Sequence, residues 1–476
     1  MRFPGFVGPS YQLRSVNVDC QRCINFYPET NEVGRGKEAE VASLVGTPGL
    51  ELLATIGTGP IRGIWTASND QLFVVSANKL YRVSSTWSAT ELGTLSTSTG
   101  TVSIADNGIH VMIVDGTYGY IWTIGSSTFA QITDPDFPGA DQVTFQDGYF
   151  IFNWPDTGKF MITGLNDVTV DALDFATAEG SPDKIVGLIS DHRDLWLFGS
   201  KSTEVFFNSG NADFPFERTQ GAFIEHGCAA RHSIAKMNNT VFWLGSDDKG
   251  SGIVYMARGY QPQRISTHAV EYAIQGYGDV SDATAYAYQQ DGHFFYVLNF
   301  SSANTTWVFD SSTGMWHERA YANQGQFERH RAENHAFAFS THVVGDYVSG
   351  KIYSMSSDYY SDNGAEIIRE RVAPHLTSDL NRVFFNRFQL DIESGTGIDG
   401  TGQGEDPQAM LQFSDDSGHT WSNEKWTSFG RIGQTKRRAM WRRLGAARDR
   451  VFKIRISDPV KVILIGATLE LESGAS

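Results

Sequence analysis

The stretch Ile185 to Asn208, IVGLISDHRDLWLFGSKSTEVFFN, limits what this chain can become more than any other segment. Ile185, Gly187 and Ile189 lead into a polar reversal at Asp191–Asp194, and Leu195 to Phe198 form an aromatic-aliphatic run. Gly199–Thr203 turn again, and Val205–Phe207 close the unit. Apolar runs of about four to eight residues, punctuated by Gly, Asp, Asn and Ser, read as strands joined by hairpins. They are too short for a buried helix. A lone meander is marginal in water and must stack its faces on neighbours of its own kind.

Copies of the unit recur along the chain. Residues 61–83, IRGIWTASNDQLFVVSANKLYRV, align Gly63 with Gly187 and Leu72–Val75 with Leu195–Phe198. Further copies are anchored at His110–Val114, Tyr149–Phe152, Val241–Leu244 and Phe294–Leu298, each after a polar turn, and a weaker one spans Ala336 to Met355. The anchors Leu72, His110, Tyr149, Leu195, Val241, Phe294 and Val343 lie 38 to 53 residues apart. Units of three or four strands at about 40–50 residues predict a β-propeller, whose radial closure hides sheet edges. Six or seven blades are expected, one of them shared between distant segments.

The rhythm fails at both ends. Residues 1–58 are Gly- and Pro-punctuated and are expected to form an irregular N-terminal arm; 59–360 form the propeller. Over 361–476, Phe384–Ile392, Met410–Phe413 and Val451–Ile456 alternate apolar and polar positions and Val460–Leu471 is β-branched, so a C-terminal β-sandwich-like domain is expected. The fold class is therefore all-β.

Composition narrows function mostly by exclusion. Three cysteines make no disulfide framework, and Cys20, Cys23 and Cys228 fall one ligand short of a four-Cys zinc site. His317, His330, His335 and His342 have no compact ligand spacing and read as loop histidines, while His226 and Cys228 lack an assignable third partner. With no P-loop, G-x-S-x-G elbow or dinucleotide fingerprint, no enzyme activity, cofactor or metal is expected. There is no membrane span and no signal-peptide start, so cytoplasmic synthesis is expected.

Two motifs remain. Ser414, Asp416, Gly418 and Trp421 in SDDSGHTW resemble the Asp-box of sialidases and other propeller proteins, where the carboxylate holds turn amides, the glycine supplies positive φ and the tryptophan packs beneath. A carbohydrate-binding or sialidase-like propeller is thus the enzymatic alternative, although the box occurs once and no carboxylate pair is assignable. The other is RIGQTKRRAMWRRLGAARDRVFKIR, Arg431 to Arg455, with ten basic residues against Asp449 alone in a chain of net charge −16. Arg437, Arg438, Trp441, Arg442, Arg443, Arg448 and Arg450 are the expected assembly interface, because Arg and aromatics together bind carboxylates, phosphates and ring faces.

Several ordered pieces resemble the packaged-DNA stabilisation proteins, or tail accessory factors, of short-tailed bacteriophages: Asn25-Phe26-Tyr27-Pro28-Glu29, Thr47-Pro48-Gly49-Leu50, Arg62-Gly63, Gly199 to Glu204, Trp441-Arg442-Arg443-Leu444-Gly445, and Ile456 to Val460. The resemblance implies a structural virion protein in the tail hub. It would form a homo-oligomeric ring, a hexamer, beneath the portal adaptor protein, prolonging the DNA channel and retaining packaged DNA. It would anchor tailspikes or tail fibres and the tail needle, and contact double-stranded DNA transiently and without sequence preference. An acidic body suits a lumen along which DNA slides.

Overall fold

Five of the anchor strands are entered through two-residue turns in which both residues have positive φ: Asp147-Gly148, His192-Arg193, Asn238-Asn239, Asp291-Gly292 and Phe339-Ser340. Such turns match the right-handed twist of the flanking strands, so each sets a hairpin register. The computed structural model describes residues 1–31, 41–247, 250–378 and 381–474. Within it, each anchor is the second strand of a blade: Leu72–Ser76, His110–Val114, Tyr149–Asn153, Asp194–Gly199, Thr240–Asp247, His293–Phe300 and Thr341–Asp346. Blades one to six follow in order from Ile61 to Asn323, and Ala332 to Ser356 supplies three strands of the seventh.

Alternation along these strands makes the ring. In blade one, Phe73 and Val75 pack toward blade two with Ile104 and Ile113, whereas Leu72 and Val74 pack toward blade seven with Ala336 and Val343. Every adjacent pair of blades shares such a core, including seven with one. A period of two thus feeds two interfaces from one strand. The single α-helix among the described residues, His268–Gln275, packs Val270 and Ile274 against the core of blades five and six.

The described residues among the first 58 do not form the irregular arm expected. Gly49–Thr55 is the outer strand of blade seven, antiparallel to Lys351–Ser356, so the ring is closed by a segment that precedes blade one. Cys20–Ile24 pairs with Met315–Asn323, the outer strand of blade six, and with Arg369–Val372. Phe26–Thr30 and Val41–Gly46 enter a second sheet beside Ile463–Ser473. Periodicity missed these strands because Cys23 to Tyr27 are all buried, so no polar face alternates there, and the burial of Gly49–Thr55 follows no period of two.

The C-terminal segment forms most of a β-sandwich. One sheet runs outward from blade six through Cys20–Ile24, Arg369–Val372, Asp449–Ile456 and Gln408–Ser414 to Lys425–Ser428; the other orders Phe26–Thr30, Val41–Gly46, Ile463–Ser473, Val383–Ile392 and Ala439–Arg442. Between them lies a core of Phe6, Phe26, Phe388, Leu411, Trp441, Phe452 and Ile454. Propeller and sandwich therefore share a continuous sheet. Asn25, with φ 54°, is the stitch: its side-chain amide donates to the carbonyls of Ala320 and Ile368, and its oxygen accepts from the Ala320 amide.

Candidate functional site

The basic segment divides by burial. Arg450 is 1% exposed; its guanidinium donates to both oxygens of Asp415 at 2.6 and 2.7 Å and to the Leu444 carbonyl, and lies over the rings of Phe413 and Phe385. Trp441 is buried in the sandwich core with its indole N–H donated to the Lys425 carbonyl at 2.6 Å. Neither belongs to an exposed surface, contrary to expectation, because both side chains point between the two sheets. Arg455 pairs with Glu370, Arg431 with Glu405, and Lys453 sits 4.1 Å over Trp421.

What remains outside is Lys436, Arg437, Arg438, Arg442, Arg443 and Arg448, all exposed. Lys436 to Arg443 sit at the open edge of the sandwich, where Lys425–Ser428 ends one sheet and Ala439–Arg442 ends the other, whereas Arg448 lies in the turn between Ala446–Ala447 and Asp449–Ile456. The connecting turn is tight, with amides of Gln434 and Arg437 donating to the carbonyls of Arg431 and Gln434. Trp426, 59% exposed, and Ile432, 61% exposed, flank the cations. The cations thus stand beside solvent-facing aromatic and aliphatic groups on the terminal strands of the two sheets.

The box at Ser414–Trp421 lies on a hairpin of the sandwich, outside the propeller. Asp416 accepts from the Thr420 amide at 2.8 Å, the Thr420 hydroxyl at 2.6 Å and the Ser414 hydroxyl at 2.7 Å. These bonds, Ser414 and Thr420 foremost, lower its carboxyl to about 2. Gly418 has φ 95°, and the Ser414 hydroxyl accepts from its amide. Trp421 packs against Cys20, Val372 and Val451.

Beneath this hairpin three chemistry-bearing side chains meet that spacing did not reveal. His375 Nδ1 lies 2.9 and 3.0 Å from the Asp449 carboxylate, its Nε2 is 2.9 Å from the Val16 carbonyl, and Cys20 Sγ is 3.7 Å from the same nitrogen. Order along the chain resembles a nucleophile triad, but the parts are not set to react. Burial, with Asp19 and Asp449 adding to it, pushes the Cys20 thiol up to about 12, and Nε2 faces the Val16 carbonyl at hydrogen-bond distance. The cluster ties residues 16–20 to the hairpin, and Ser417 also donates to Asp449. No sequence signal joins positions so far apart.

The histidines read as loop residues are mostly on strands. His317 lies on Met315–Asn323, His335 on Ala332–Ala338 and His342 on Thr341–Asp346; His330 is in a connection yet buried. His335 Nε2 is 3.0 Å from His342 Nδ1, and burial pushes His335 down to about 3, so the pair packs as neutral rings against Tyr286 and Tyr288. His226 stacks on Tyr255, whereas Cys228 Sγ donates to the Ala230 carbonyl; the two make no common site.

Inner strands of all seven blades line a central cavity of about 450 Å³, with Asp106, Gln142, Lys236 and Glu333 among its polar groups. That size falls within the roughly 300–1,000 Å³ of small-molecule pockets. No helix among the described residues is long and apolar enough to cross a membrane.

Two family descriptions match the chain in tandem: "Bacteriophage P22 Gp10, beta-propeller" over residues 21–360 and "Bacteriophage P22 Gp10, beta-sandwich" over residues 368–472. No curated protein matches. Among solved structures, the WD40 domain of Neurospora crassa Pan2 is 9% identical, covering 63% of this chain and 90% of that one at a TM-score of 0.43. The β-propeller domain of Myceliophteria thermophila Cps50 (Swd1) is 8% identical, covering 64% and 99% at 0.44.

Proposed function

Because the chain belongs to the bacteriophage P22 Gp10 family, and is by that a structural phage tail protein, we propose that it is a hub subunit below the portal adaptor protein. In this reading six copies surround a channel that prolongs the portal, hold the packaged genome, and carry tailspikes or fibres and the tail needle. It is made in the host cytoplasm and acts without catalysis. The observation that carries the reading is the tandem match of both family descriptions. The small propeller cavity fits it, since a DNA path then runs between subunits and not through one. The exposed basic edge of the sandwich supplies an assembly surface, and the acidic remainder favours passage of DNA over adhesion.

The test is a double change of Arg442 and Arg443 to Ala in virions. Incorporation into tails should fall, the deficit relative to the parent being largest at low salt, while the purified subunit keeps its melting temperature, because both side chains are solvent-facing. Normal tails that leak genome to nuclease would instead assign the two arginines to DNA contact. Tails and genome retention like the parent at every salt concentration would remove the edge from assembly.

A further inference from the structure

The end of the molecule opposite the sandwich carries a patch of complementary character. Blade three lies three blades from blade six in a ring of seven, nearly across it, and the sandwich extends blade six outward to the edge strand Lys425–Ser428. The outer strand of blade three, Val170–Thr177, is bulged: Phe175 opposes Met161 and Val170 opposes Thr163, so Asp171 to Asp174 face a single residue of the partner strand. The bulge thrusts Leu173 into solvent, 82% exposed, between two aspartates that make no ion pair among the described residues. Asp174 is already raised by partial burial and by Asp171 beside it, and a cation there would favour its charged form. Alongside runs a groove of about 440 Å³ between the outer strands of blades two and three, floored by Ile121, Ile132 and Val170, with Asp134 at its rim.

An exposed bulge carrying two carboxylates and a largely exposed leucine, next to a groove lined by threonines as well as by aliphatic side chains, is the counterpart of an edge carrying Arg437, Arg438, Arg442, Trp426 and Ile432. We propose that the basic edge of the sandwich docks on the bulged outer strand of blade three in a second copy of this chain. The inference rests on the reading of that edge as an assembly surface and names its partner. Trp426 or Ile432 would enter the groove, and Arg437 and Arg438 would meet Asp171 and Asp174. Because the two patches differ and lie at opposite ends, the contact is head to tail, which propagates into a ring when the rotation closes.

Sedimentation velocity of the full-length protein tests this. The parent should associate with rising concentration and dissociate as the screening length shrinks from about 30 Å at 0.01 M to about 3 Å at 1 M salt. The pair Arg437→Glu and Arg438→Glu should weaken association at least about tenfold, as should the pair Asp171→Lys and Asp174→Lys, through like-charge contact. All four changes in one chain should restore it. As a readout independent of charge, a Trp426→Cys chain mixed with a Leu173→Cys chain should form a disulfide between copies, the three native cysteines being buried. Association and tail incorporation lost with the arginine pair but untouched by the aspartate pair would overturn the inference and leave the assembly surface standing, with another protein as its partner. A parent that stays monomeric throughout and no cross-link would overturn it as well. An arginine pair without effect on association or incorporation would remove both readings.

Discussion

Arg442 and Arg450 show how neighbours of identical chemistry acquire opposite roles: the first faces water on an edge strand, and the second is enclosed by Phe385, Phe413 and Phe452 with one carboxylate for company. That carboxylate, Asp415, is itself 44% exposed, so removing it strands a buried cation rather than the reverse. Asp415→Asn should therefore cost about 2–3 kcal/mol in denaturant unfolding, more than the exposed site suggests. Asp416, next to it, acts through its charge on turn donors. With a folded value of about 2 against about 3.9 unfolded, its contribution is complete above about pH 5 and is lost as pH falls from there through 2. The melting temperatures of the parent and Asp416→Asn should differ by a constant amount above about pH 5 and converge toward pH 2. A gap that widened on acidification would show that the carboxylate is not the ionised acceptor of the turn.

Among elements, Gly49–Thr55 does the most with the least sequence signal. It closes blade seven against Lys351–Ser356, and its first residue has no room for a side chain: a Cβ on Gly49 would stand 2.6 Å from the carbonyl oxygens of both Tyr359 and Ser361. Those are backbone atoms of the segment leaving the propeller, so they cannot swing aside as a side chain would. Gly49→Ala should cost on the order of 1–3 kcal/mol, the penalty of overpacking, read as a lower denaturant midpoint.

At the scale of the molecule, propeller and sandwich are coupled by one sheet and by the chain's first 58 residues, which contribute to both. A fragment spanning 59–360 lacks the outer strand of blade seven and should be rapidly cut by protease in that blade. A fragment spanning 47–360 regains the strand and should be protected there. Equal protection of the two would mean that ring closure does not depend on Gly49–Thr55. In the intact chain, the pairing of Cys20–Ile24 with blade six and with the sandwich predicts a single cooperative unfolding transition.

What the sequence determined by itself was everything local. Turn pairs such as Asp147-Gly148 and Asp291-Gly292 and alternating strands such as Leu72–Ser76 specify the hairpins, their spacing specifies a propeller, and Ser414 to Trp421 specify a turn. These rest on backbone geometry and side-chain period, which neighbouring residues dictate. Three things waited for the tertiary structure: the strand at Gly49–Thr55 that joins blade seven, the meeting of Cys20, His375 and Asp449, and the division of the basic segment into buried and exposed arginines. Each depends on contacts between residues far apart in the chain, and the burial of Gly49–Thr55 follows no period of two that could announce a strand. For Arg450, only the aromatic walls supplied by Phe385 and Phe413 decide that a cation in a basic run is core and not surface.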